Sequence, residues 1–350
     1  MLTVSMPSSN LWGYRPVVWV QFLVCVVAIG FAGVKLSRYG DAIADKAGLG
    51  GTWIGVIMLA SVTSLPELVT GISSVTVAEA PDIAVGDVLG SCVFNLVLIV
   101  VLDFLSRDEP LYCRAGQGHI LAAGFGIMLI GLAGFNLLLA ARGTGIALWH
   151  LGLYSPAIMI LYLVAMRSVF LYESELVEGS TEAEADAYPG LSLRTAVVRY
   201  IAAAAVVLVA GVWLPFVAKE LAVQMGWHQG FVGTLFVAFV TSLPEMVVTV
   251  AALRLGAVDM AIGNLFGSNL FNIGILAVDD IFYLPGPLFD AVSTTHAVSA
   301  FSAIMMTGVA VVGLLYRPRT RVFKTVGWAN IFLFTIYLIN TYMLYSYREG

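Results

Sequence analysis

The 350-residue sequence predicts an all-α polytopic membrane protein with about ten transmembrane helices, since each span takes roughly 20 apolar residues. Those helices are expected as two inverted-topology five-helix repeats with both termini outside. Three observations carry this expectation: too few charges for a soluble surface, apolar runs of span length, and a block of sequence that occurs twice. Charged residues make up 11% of the chain, whereas soluble domains carry about 25%. Hydrophobic residues are 60% and the mean hydropathy is +0.93. A water-soluble globule could not cover its surface with so few charges. Disordered, coiled-coil and nucleic-acid-binding classes fail on the same composition, so no nucleic-acid partner is expected and the lipid bilayer is.

Apolar runs between charged or Gly/Pro breaks lie near 16–38, 50–79, 82–105, 117–140, 146–171, 196–218, 229–254, 258–283, 291–315 and 323–346. The second and seventh are interrupted by Ser, Thr, Pro and Glu. Only Arg15 precedes the first run, which has span length and no small-residue cleavage site, so it is expected to be a helix rather than a cleavable signal. Cys25, Cys92 and Cys113 are scattered without CxxC spacing, which suggests neither a disulfide framework nor a zinc site.

Orientation follows from the bases. With the N-terminus outside, the inner loops receive Lys35, Arg38, Lys46, Arg107, Arg114, Arg167, Arg194, Arg199, Arg254, Arg317, Arg319, Arg321 and Lys324. The outer side receives only Arg15, Arg142, Lys219 and Arg348. Residues 173–188 hold Glu173, Glu175, Glu178, Glu182, Glu184 and Asp186 and no base. Such a run reads first as a solvated hinge and second as a cation-sensing segment. The expected organisation is a first repeat at 1–172, an acidic cytoplasmic linker at 173–194 and a second repeat at 195–350.

The two halves share a motif. Ala60-Ser61-Val62-Thr63-Ser64-Leu65-Pro66-Glu67 matches Ala238-Phe239-Val240-Thr241-Ser242-Leu243-Pro244-Glu245, with Val-Thr-Ser-Leu-Pro-Glu identical in both. A second block runs from Asp82 to Asn95 and again from Asp259 to Asn272, within motif regions 51–105 and 229–283. Its spacing also pairs Asp103 with Asp280 and His119 with His296. Five spans per half is an odd number, so the halves must cross in opposite senses, the construction of secondary transporters.

Glu67 and Glu245 fall in mid-span, where a carboxylate costs roughly 2.5 kcal/mol or more and marks function by default. Pro66 and Pro244 interrupt the helix ladder, which is expected to loosen carbonyls around Ala60–Thr63 and Ala238–Thr241. Thr63, Ser64, Thr241 and Ser242 add hydroxyls. Ser91 and Asn95 share a helix face, as do Ser268 and Asn272. Gly86/Gly90 and Gly263/Gly267 have GxxxG spacing, expected to let these helices approach the Glu-bearing ones. The inventory is oxygen only and suits a hard cation. Taken singly, a membrane proline is a kink, a serine bonds back to its own helix, and GxxxG is packing; duplication of the whole set argues otherwise. Asp87 faces Asn264 across the repeat, so ligand, tuner and helix cap are all open to it. Asp103, Asp279, Asp280, His119 and His296 sit near span ends and are expected at the interface.

These blocks resemble the two alpha repeats of the calcium/cation antiporter superfamily, with the greatest likeness to its sodium/calcium exchanger branch and short prokaryotic members. The resemblance implies an ion site from Glu67, Thr63, Ser64, Ala60, Ser91 and Asn95 with Glu245, Thr241, Ser242, Ala238, Ser268 and Asn272. It implies alternating access by sliding of the long first helix of each half, and a prokaryotic cell (inner) membrane. Val62 and Val240 stand where the family usually has Gly, and Asn272 where some relatives carry a third acid. The expected activity is Ca2+ export in exchange for Na+, with H+ coupling as the alternative and no cofactor beyond the transported ions. A passive channel would need a continuous pore with weak multi-site binding. An intramembrane enzyme is disfavoured because neither HExxH nor GxSxG occurs.

Overall fold

The computed structural model describes residues 11–46, 61–106, 109–177, 188, 190–318, 321–322 and 326–347. Within them the chain is helical apart from short hairpins and turns. The first half comprises α1 Leu11–Lys46, α2 Leu65–Thr76, α3 Pro81–Leu105, α4 Leu111–Arg114, α5 His119–Ala140 and α6 Tyr154–Val177. The second comprises α7 Leu193–Met225, α8 Gln229–Thr241, α9 Leu243–Arg254, α10 Val258–Phe282, α11 His296–Tyr316 and α12 Trp328–Ser346. Among the described residues seven helices are long and apolar enough to cross a membrane, eight if the bent pair α8–α9 is one span. The start of the expected second span, 50–60, and most of the acidic linker lie outside the described residues.

Local chemistry sets the ends. Pro81 opens α3, where its missing N–H is no loss. Ser192 caps α7 by accepting from the Thr195 N–H at 3.3 Å, and Gly226 ends it with φ 67°, a left-handed cap. Several ends differ from expectation. α1 runs to Lys46 rather than 38 and α7 to Met225 rather than 218, because charges at a helix end reach water without breaking the ladder. The fifth and tenth spans start late, at Tyr154 and Trp328, because Ala147–Leu148 first pairs with Leu151–Gly152 and Arg321–Val322 with Val326–Gly327 as short antiparallel strands. The ninth starts at His296 after a 3-10 turn at Leu288–Ala291.

α3 and α10 form the centre: 72% and 78% of their apolar windows are buried, against 28–50% for the other long helices. Apolar residues lie on every side of them, as in a helix enclosed by others, and the polar side chains they carry, among them Asp87, Ser91, Asn95, Ser268 and Asn272, are buried too. α1 and α7 pack against each other and turn Val20, Leu23, Phe31, Ile201 and Leu208 outward, an apolar face suited to lipid.

The acids near span ends are not interfacial, contrary to expectation. Asp103, Asp279 and Asp280 are at most 1% exposed. Asp280 accepts from the Gly152 N–H (3.0 Å), the Tyr154 hydroxyl (2.7 Å), the Ser155 hydroxyl and the Leu288 N–H (2.7 Å). Asp103 does the matching work, accepting from the Leu111 N–H (2.8 Å), the Gly327 N–H (3.4 Å) and the Asn330 side chain. Each therefore ties the last span of the opposite half to its own loop. His296 and His119 also cross between halves, pairing with Asp82 at 2.8 Å and Asp259 at 3.0 Å. His296 is fully buried rather than interfacial. Asp280→Ala is expected to leave four buried donors without an acceptor and cost about 3 kcal/mol or more. A thermal melt in detergent should show it as a clear loss of midpoint, and a melt matching wild type would refute the anchoring role.

Candidate ion site

The Pro-Glu motifs break their helices in the same way. Ser64 has φ −88° and ψ 11°, Ser242 φ −83° and ψ 7°, and a new helix starts one residue later with proline in its first turn. Beyond the break at Ser242 the chain turns by 46°. A π-helical turn at Gly233–Val237 precedes it in α8, a distortion that often accompanies functional sites. Each glutamate thus lies in the first turn of a half-helix, where the positive end of the dipole favours an anion.

The breaks cross over. Glu67 Oε1 accepts from Ser91 (3.4 Å) and from Ser242 of the other half (3.3 Å). Glu245 Oε1 accepts from Ser64 (3.0 Å). Ser242 donates to Ser91 at 3.0 Å, and the Thr63 and Ser268 hydroxyls are 3.4 Å apart. Thr241 donates to Asp87 Oδ1 at 2.8 Å. Thus Glu67, Glu245, Thr63, Ser64, Thr241, Ser242, Ser91 and Ser268 meet at one place between α2, α3, α8, α9 and α10. Asn95 and Asn272 are buried on the same faces; Asn95 donates to Asn269 at 3.0 Å, while neither amide atom of Asn272 has a partner.

What remains unpaired is informative. Glu67 Oε2, Glu245 Oε2, Asp87 Oδ2, Asn95 Oδ1 and Asn272 Oδ1 are buried without a hydrogen-bond partner. Burying an unpaired carboxylate costs several kcal/mol, and among the described residues no basic side chain bonds to these three acids. The arrangement is a buried, acidic, all-oxygen cluster that a hard cation would neutralise.

Two expectations shift, and one falls outside the described residues. Pro244 removes the donor that would have met the Val240 carbonyl, not that of Ala238, whose oxygen already accepts from the Ser242 N–H (3.0 Å) and Thr241 hydroxyl (3.3 Å). Ala60 lies outside the described residues. The α3 glycines do not admit the preceding span: Gly86 and Gly90 face Gly230, Gly233 and Thr234 of α8, across the seam between halves. Val62, in the place of the family's Gly, lies against Gly40 of α1 and near Tyr200 of α7.

Sequence comparison between the halves missed Asn269, which bridges Asn95 and the Cys92 carbonyl (3.2 Å), because its counterpart in the first repeat is Cys92. It also gave Asp279 only an interfacial place, since its counterpart is Leu102. An acid in one apolar span facing a leucine in the other was the available signal.

A family model described as "Sodium/calcium exchanger protein" matches residues 17–168 and 195–343. Membrane protein MJ0091 of Methanocaldococcus jannaschii is 26% identical over 328 residues, covering 90% of this chain and 97% of the relative. Sodium/calcium exchanger MaX1 of Methanosarcina acetivorans is 26% identical over 332 residues, covering 82% and 90%. The fold is similar to the crystal structure of the H+/Ca2+ exchanger CAX, with a TM-score of 0.68 at 14% identity over 94% of this chain and 85% of that one.

Proposed function

Because the chain belongs to the sodium/calcium exchanger protein family, we propose that it is a secondary antiporter exporting Ca2+ in exchange for Na+. The observation that carries this is the paired Glu67 and Glu245, each reaching hydroxyls of the opposite half, with their second oxygens unpartnered. Ca2+ takes six to eight oxygens. Glu67, Glu245, Thr63, Ser64, Thr241, Ser242, Ser91, Ser268, Asn95 and Asn272 supply them by side chain. Ala60 and Ala238 would add carbonyls, the latter once the Thr241 hydroxyl turns away. Two carboxylates balance one divalent ion, two monovalent ions or two protons. Competing ions therefore exclude each other, as exchange requires.

In this reading the chain crosses a cell (inner) membrane ten times with both termini outside, the repeats being 1–172 and 195–350 joined by 173–194. Alternating access comes from α1 and α7 sliding over the site. Gly33 of α1 lies on Pro244 and Gly211 of α7 lies 3.0 Å from the Val69 side chain by its would-be Cβ, so each long helix meets the break region through a glycine. The protein acts as a transporter rather than an enzyme and needs no resident cofactor.

The test is Ca2+ flux in everted vesicles, with Na+ and pH gradients imposed separately. Uptake driven by Na+ and indifferent to pH is expected. Uptake driven only by the pH gradient would assign H+ coupling instead. Flux that does not saturate and needs no counter-ion would make the protein a channel.

A further inference from the structure

Asp279 lies on α10 seven residues beyond Asn272, outside both repeated motifs. It is 0% exposed, and neither of its oxygens has a hydrogen-bond partner. Its chain neighbour Asp280 shows what a structural acid looks like at this depth, with four donors around it. Asp279 has none. Its carboxylate lies over Gly71 of α2, where a Cβ would come within 2.6 Å of both oxygens. The symmetry-related pair departs from this pattern at both positions: Leu102 of the first half stands where the acid would be and Thr249 of the second where the glycine would be, and Thr249 is occupied by the Asn264 side chain at 3.1 Å. α3, which carries Asp87 one turn before Ser91, packs along α10. Asp87 keeps one oxygen, Oδ2, without a partner. One turn beyond Asp279, a cleft of about 460 Å3 opens between the ends of α2 and α10, lined by Thr76, Glu79 and Tyr283.

We propose that Asp279, Gly71 and Asp87 form a second cation site, on one side of the central one, that receives the ion between the cleft and Glu67. The argument is physical. An ionised carboxylate with no donor at this depth is stable only beside a positive charge, and glycine at 71 is what lets the carboxylate sit there, since a Cβ would come within 2.6 Å of both its oxygens. Because Leu102 and Thr249 fill the symmetric place, the site exists on one face only. With the N-terminus outside, that face is the outer one. The inference rests on the proposed antiport for its role in transport, but not for its existence as a binding site.

Two measurements decide it. In right-side-out and everted vesicles, Asp279→Asn and Asp279→Leu are expected to raise the half-saturating Ca2+ concentration at the outer face at least tenfold. The inner face should stay within twofold. Equal shifts at both faces, or none, would overturn the site. Equilibrium binding of radiolabelled Ca2+ to the purified protein should lose one population in Asp279→Asn and a different one in the Glu67→Gln/Glu245→Gln double variant. Loss of the same population in both would show a single site. Asp279→Asn removes a buried unpartnered charge, so its melt without Ca2+ should be no lower than wild type, with a smaller Ca2+-induced rise. The binding count needs no transport and so decides the site even where exchange fails.

Discussion

Glu67→Gln is expected to abolish exchange, lowering Ca2+ flux at saturating gradients by at least a hundredfold, and Glu245→Gln to do the same. Glutamine keeps the shape and can still accept from Ser91 and Ser242, which reach Glu67 Oε1 at 3.4 and 3.3 Å. Only the charge goes. A unit charge about 4 Å from a cation contributes about 4 kcal/mol at an effective dielectric of 20, which per charge of a divalent ion is about a thousandfold in affinity. Loss of one carboxylate also breaks the equivalence between one divalent and two monovalent ions, so coupling fails as well as binding. Flux into everted vesicles, with radiolabelled Ca2+ binding alongside, reads both effects. Either variant exchanging Ca2+ at wild-type rate would remove the central site from these residues. Each glutamate takes a hydroxyl from the opposite half, so the double variant should be no worse than either single one.

The central cluster was legible because the chain carries it twice. Two identical six-residue blocks, each with a Pro-Glu break, are visible without any structure. The helices were legible for the usual reason that a span must be apolar, and the errors fell where the chain leaves the membrane. Residues 147–152 are apolar enough to look like span but form a hairpin that hands its backbone to Asp280. Asp103 and Asp280 were misread because position near a span end says nothing about what covers it; besides one donor each from their own loops, their donors come from the last span of the opposite half and the residues just before it, some 130 to 230 residues away in sequence and brought in only by the fold. The glycines were recognised as contact points but assigned the wrong neighbour, since GxxxG spacing fixes a close approach and not its partner. Asp279 was placed at the interface with Asp103 and Asp280, and comparison of the halves could not single it out, because its counterpart is Leu102 and this acid is a difference.

The seam that those glycines form gives the other large expected effect. Gly90→Ala should both destabilise the protein, by about 3 kcal/mol, and lower Ca2+ affinity at least tenfold in whatever fraction folds. A Cβ at Gly90 would lie 2.6 Å from the Thr234 Cα and 2.8 Å from the Ala238 Cβ. These neighbours are backbone and a side chain without rotamers, so neither can turn aside. α3 and α8 must separate. Gly86, one turn earlier, is close as well, its would-be Cβ 3.0 Å from the Gly230 carbonyl and 3.1 Å from the Gly233 Cα, so the helices have little room to pivot about it. Ser91 follows Gly90 directly and holds the 3.0 Å contact with Ser242 and the 3.4 Å contact with Glu67. A shift of about 1 Å is enough to lose hydrogen bonds already this long. The comparison is Gly124→Ala on α5, where a Cβ meets nothing within 4 Å; this variant should match wild type in melt and flux. If Gly90→Ala also matches wild type in both, the seam does not set the geometry of the site. If it loses stability yet keeps its Ca2+ affinity, packing across the halves and the placing of Ser91 are separate matters. A joint loss, with Gly124→Ala unaffected, means that the same close approach that holds the two repeats together also brings their oxygens to one ion.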